Sequence, residues 1–150
     1  MQNLAYAWII AVSTLAAGQA PGALQGTWEV TELTAYGKQV DPKLYLGTKF
    51  VFDKDKLTVV PPNDKLEEFV KRAFTINVNP KKQPAEVDLT ALDGDNKGVT
   101  SPGIYELNGD TLRWCQPDGP KSKDRPKAFV SPENSDIYLF TLKRVAAKPK

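Results

Sequence analysis

Histidine is absent from the chain. With it go the Ser-His and Cys-His nucleophile pairs, His-containing zinc sites and the side chain that most readily moves protons near neutral pH. No standard hydrolase is expected, and the protein reads as a non-enzyme. Cysteine is nearly absent too: Cys115 stands alone, so no intrachain disulfide forms in any redox compartment. The fold must hold by burial and hydrogen bonding. Nor does charge of one sign dominate, because 20 Lys and Arg face 18 Asp and Glu for a net charge of +2. That balance argues against a nucleic-acid binder. The one basic cluster, "KSKDRPK" at residues 121–127, also carries an acid and a proline and reads as a solvated loop.

Charge is missing altogether ahead of Glu29. Residues 4–17, "LAYAWIIAVSTLAA", form an apolar run as long as a signal-peptide core and shorter than the roughly 20 residues of a membrane-spanning helix. Residues 1–23 therefore read as a helical signal peptide with cleavage near residues 18–23. The expected destination is the periplasm, the cell envelope or the outside of the cell, with no stable membrane span after cleavage. Retention of the run as an uncleaved anchor is the alternative, since "MQN" supplies no Lys or Arg. No cysteine follows the run, which excludes lipid attachment at a new amino terminus.

What the remainder does contain is short apolar stretches separated by turn signals, the mark of an antiparallel all-β domain. "GTWEVTEL" sets Trp28 and Val30 on one face, and Leu33 breaks the two-residue period as a bulge would. Gly37 suits the turn in "AYGKQV", and Asp41 followed by Pro42 suits a single helical turn in "DPKLYLG". "KFVFDKDKLTVV" reads as a hairpin turning at "DKDK", and "PPNDKLEEFVKR" as a short helix. "RAFTINVN" and "EVDLTAL" alternate cleanly. "VTSPGIYELNGDTLRWCQP" holds two strands turned by "NGD", with a register shift expected between Ile104 and Leu107. "KAFVS" reads as a short edge segment and "DIYLFTLKR" as the last strand, apolar on both faces; residues 145–150 read as a frayed tail. About eight strands with short links suit an up-and-down barrel, whose closure removes exposed edges, with a sandwich as the alternative.

Gly26 and Trp28 in the first strand and Arg144 at the end of the last resemble the lipocalin and fatty-acid-binding superfamily. More specifically, "LQGTWEV", "PAEVDLTALDGDNKGVTSPGIYELNGDTLRWC", "RPKAF" and "LFTLKR" resemble a family of uncharacterised, mostly exported lipocalin-like domains abundant in planctomycetes, over residues 24–144. The resemblance implies that Trp28 plugs one end of the barrel with Arg144 across it and Gly26 beneath, a structural closure. It brings no assigned activity and no cofactor. At superfamily level it implies a cup for a small apolar or amphiphilic molecule, with Phe50, Phe52, Phe74, Ile76, Trp114 and Phe140 as its candidate lining. Small barrels are also filled by their own side chains, so the other reading is a closed envelope module that binds a protein partner through its loops.

The remaining candidates read as structure. Cys115 has Arg113 two positions away on its own face, yet a mid-strand thiol is more often inert. "DGDNKG" at residues 93–98 gathers oxygens around glycine but lacks the alternation, the later bidentate Glu and the flanking helices of a calcium loop, so no metal site is expected. Glu29, Glu32, Glu86 and Asp88 suit outward strand positions.

Overall fold

The structure is a computed structural model that describes residues 22–62, 71–118 and 123–146. A 3-10 turn at Gly22–Leu24 leads into β1 (Gly26–Ala35), β2 (Lys38–Gln39), the single helical turn α1 (Pro42–Tyr45), β3 (Lys49–Asp53), β4 (Lys56–Val60), β5 (Arg72–Asn79), β6 (Ala85–Ala91), β7 (Thr100–Asn108), β8 (Thr111–Pro117) and β9 (Ile137–Arg144). Every neighbouring pair is antiparallel, β1 pairs with β3 and each later strand with the next, and β9 returns to pair with β1. β2 adds only a two-residue arm to β1, so eight strands close the barrel. The all-β, up-and-down architecture follows directly from the turn chemistry of the chain. Lys54 and Gly109, both at positive φ, turn the β3–β4 and β7–β8 hairpins. Asp41 caps α1 by accepting from the Lys43 amide at 3.0 Å, with Pro42 in the first turn.

Alternation fixes the interior. Trp28 and Val30 point inward from β1, Phe50 and Phe52 from β3, Ile76 and Val78 from β5, Val87 and Leu89 from β6, Leu112 and Trp114 from β8, and all are buried in one core. The pairing of β1 with β9 shifts between Val30 and Glu32, and this bulge restores Leu33 to the inner face opposite Phe140. Because the strands alternate in direction, the connections fall into two groups. One end, here the Trp28 end, carries the 3-10 turn, the β3–β4 turn, the β5–β6 loop and the β7–β8 turn. The opposite Tyr36 end carries the β1–β2 turn, α1, the β6–β7 loop and the β8–β9 connection.

Several readings of the sequence differ from the structure or fall beyond it. No register shift separates Ile104 from Leu107, since β7 and β8 pair without interruption from Ile104–Cys115 to Asn108–Thr111. The two residues simply occupy opposite faces. "KAFVS" forms no strand: the carbonyls of Ala128 and Val130 lie 3.7 Å from the Cys115 sulfur instead of pairing with a backbone neighbour. The helix expected in "PPNDKLEEFVKR" lies largely outside the described residues, as does the apolar run of residues 4–17.

Candidate functional site

The Trp28 end is sealed by a compact set of side-chain bonds. Trp28 is fully buried, and its indole N–H donates to the Leu24 carbonyl at 2.9 Å. The Arg144 guanidinium lies 4.2 Å from the centre of the indole ring, donates to the Gln25 carbonyl at 2.9 Å and to the Ala23 carbonyl, and pairs with Asp110 at 3.3 Å. Gly26 passes beneath it at φ +111°, a conformation that L side chains rarely adopt; a Cβ there would be in ordinary contact with the Arg144 guanidinium at 3.6 Å. Gln25 completes the seal, accepting from the Lys54 amide at 2.7 Å and donating to the Lys54 carbonyl at 3.0 Å. Sequence reasoning had no means of finding Gln25, which acts across the fold on a turn far away in the chain.

The middle of the barrel is filled by aromatic rings. Phe50 meets Trp114 edge-on at 6.2 Å and Phe140 at 5.2 Å, Phe52 meets Trp114 at 5.7 Å, and Tyr105 stacks on Trp114 at 5.9 Å. Four of the six candidate lining residues thus form one packed plug. Ile76 and Phe74 also belong to the interior, with Phe74 only half-buried where β5 enters the barrel from the Tyr36 end.

The Tyr36 end is different in kind. Just past the plug, Gln116 faces inward from β8 and is 8% exposed; its amide N–H group donates to the Ser101 carbonyl at 2.9 Å and the Ser101 hydroxyl at 2.8 Å. Its amide oxygen has no partner among the described residues. That oxygen occupies the space where Gly103 has no side chain, 2.2 Å from where a Cβ would stand, with the Cys115 carbonyl at 2.8 Å. Gly103→Ala therefore displaces Gln116 or the β8 backbone and should cost about 1 to 3 kcal/mol of stability, as overpacking generally does, which a urea midpoint measures. Further out, the Tyr36 and Tyr138 hydroxyls lie 3.1 Å apart. Burial, then this hydrogen bond and the nearby Asp118 carboxylate, hold the Tyr138 phenol well above its usual range. Tyr36, Leu44, Leu46, Leu92 and Val99, all between 36% and 55% exposed, belong to the connections at this end.

On the outer wall, residues 123–136 cross β6, β7 and β8 as a strap. The solvated-loop reading of "KSKDRPK" fails at Arg125, whose guanidinium donates to the carbonyls of Val87 at 3.1 Å and Gly103 at 2.9 Å and pairs with Asp88 at 2.8 Å and Glu86 at 3.7 Å. Glu86 and Asp88, outward as expected, hold the strap. Beneath it Cys115 is fully buried. Burial pushes its thiol up to about 11, against smaller opposing effects of the Val130 backbone and the Arg113 charge. The folded protein should therefore resist iodoacetamide at pH 8 and react only once unfolded. Tyr105 is likewise raised by burial, to about 12. Both groups bind their protons more tightly folded than unfolded, so they support stability fully below pH 9 and the support is lost as pH rises from 9 toward 12. Denaturation midpoints taken across that range should fall steadily.

Among the described residues no group of three His, Cys, Asp or Glu side chains is placed to hold a metal ion, and no helix is long and apolar enough to cross a membrane. Asp93 to Gly98 form turns. No family model, no curated protein and no solved structure matches the chain.

Proposed function

We propose that this barrel is an exported, lipocalin-like protein that holds a small amphiphilic molecule at its Tyr36 end. The observation that carries this reading is the inequality of the two ends. One is sealed by Trp28, Arg144 and Gln25, with Val145 exposed beside it, while the connections of the other carry five exposed apolar side chains, Tyr36, Leu44, Leu46, Leu92 and Val99. Exposed apolar groups at one end of a barrel are candidates for a binding surface, and small-molecule sites combine an apolar lining with a few placed polar groups. Gln116, buried with an unpartnered amide oxygen, supplies such a polar group behind the fringe. The aromatic plug limits the depth of the cup, so the ligand's tail packs on Phe74, Phe140 and Tyr138 and does not pass through the barrel. Export rests on the apolar run at residues 4–17 and on the family resemblance of residues 24–144.

Uptake of an apolar fluorescent probe tests the reading. Phe74→Ala and the double variant Leu44→Ser, Leu46→Ser should each weaken uptake by about five-fold or more, since every Å2 of apolar surface that the ligand no longer covers forfeits roughly 25 cal/mol. Undiminished uptake in both would remove the Tyr36 end from consideration. A second reading has its own support in the filled middle: a closed barrel whose apolar fringe docks an envelope protein partner. That reading expects no small molecule to bind at all.

A further inference from the structure

A separate hollow lies toward the Trp28 end, under the loop that joins β5 to β6. Its volume is about 390 Å3, within the range of small-molecule sites, and Pro80, Lys82, Pro84, Tyr105, Glu106 and Leu107 contribute to its lining. Tyr105 belongs to the core and to this hollow at once. Its ring stacks on Trp114, the residue is 4% exposed, and its hydroxyl has no hydrogen-bond partner among the described residues. A buried phenol almost always finds one. Packing alone would be met by phenylalanine, so the hydroxyl is a buried donor without an acceptor, on a residue that contributes to the lining of the hollow. That lining carries one cation, Lys82, and one acid, Glu106. Lys81 and Lys82 stand together in the loop, whereas the acid Glu106 is engaged by Arg113 at 3.8 Å.

We infer that this hollow binds a small carboxylate with an apolar or aromatic body, at a site independent of the Tyr36 end. The body lies against Pro80, Pro84 and Leu107, Lys82 attracts the carboxylate, and the Tyr105 hydroxyl donates to it. The lip is free to adjust for the hydroxyl to be reached, because Lys81, Lys82 and Gln83 are exposed and the loop is tied to Asn79 only by long bonds, 3.3 Å from the Lys81 amide and 3.4 Å from the Lys82 amide. A carboxylate accepting from a phenol gains a charge-assisted bond, stronger than one between neutral groups.

The test is a titration of the full chain with benzoate, with benzamide as the neutral control of the same shape, followed by backbone amide NMR shifts. Benzoate should move the signals of residues 80–85 and 105–107 and leave those of the Tyr36 end in place, and benzamide should bind at least about tenfold more weakly. Tyr105→Phe keeps the ring and removes only the hydroxyl, so it should fold with an equal or higher denaturation midpoint and bind benzoate about tenfold less tightly. Lys82→Gln should weaken benzoate and leave benzamide unchanged. Equal affinity of Tyr105→Phe and the unaltered chain for benzoate would overturn the inference, as would shifts confined to the Tyr36 end or no shift with benzoate at all. The reading of the Tyr36 end is untouched by any of these results, because its probe and its variants are different.

Discussion

Trp28→Ala lowers the unfolding free energy by about 3 to 5 kcal/mol, the usual range for truncating a core aromatic, and shifts the urea midpoint accordingly. The expected loss lies at the upper part of that range because three effects coincide. The indole is fully buried, its N–H bond to Leu24 disappears, and the Arg144 guanidinium loses the ring it lies over at 4.2 Å. A cation over an indole contributes about 0.5 to 2 kcal/mol by itself. Arg144 would keep its carbonyl partners and Asp110, so the double variant Trp28→Ala, Arg144→Ala should lose less than the sum of the single losses. Strict additivity would mean that ring and guanidinium do not act together. An unchanged midpoint in Trp28→Ala would remove the sealed end from the description of this barrel.

The strap gives the second large effect. Arg125→Ala removes two charge-assisted bonds to backbone carbonyls and the ion pairs with Asp88 and Glu86 in one change. Hydrogen bonds to a charged group contribute about 1.5 to 3 kcal/mol, and since the guanidinium is 29% exposed the expected loss is about 2 kcal/mol, near the low side of that range. The more telling readout is Cys115. With the strap loosened, its thiol should be alkylated by iodoacetamide under native conditions at least about tenfold faster, in keeping with a loss of local stability above about 1.4 kcal/mol. Asp88→Asn, which leaves both carbonyl bonds in place, should change the alkylation rate much less. A rate in Arg125→Ala equal to that of the unaltered protein would show that the strap is held by something other than this arginine.

These two effects differ in how readable they are from the chain. Trp28 announces itself locally: it sits on a strand of alternating polarity, two residues after a glycine, and a ring of that size at the start of a closed barrel has only the interior to fill. The inward series from Phe50 to Phe140 is legible for the same reason, because a period of two residues assigns each side chain a face before any pairing is known. Arg125 gives no such signal. Its partners Val87 and Gly103 are backbone carbonyls on two other strands, and nothing in "KSKDRPK" distinguishes a latch from a solvated loop. "KAFVS" misleads in the opposite direction, since a short apolar run between polar residues suits an edge strand while its carbonyls serve the Cys115 thiol. Gln116 and Tyr105 escape sequence reading as well. A glutamine at the end of a strand and a tyrosine within one are ordinary residues, and only the folded chain leaves one polar atom of each without a partner.

The proposal that the barrel carries a small amphiphile meets its most direct test in mass spectrometry. The purified full chain would be incubated with a lipid and metabolite extract, and native and denaturing spectra recorded side by side. A small additional mass in the native spectrum, released on denaturation and reduced in Phe74→Ala, is the expected result and would identify the class of ligand. The bare polypeptide mass under every condition would contradict it, and the apolar fringe of the Tyr36 end would then stand as a surface for another protein.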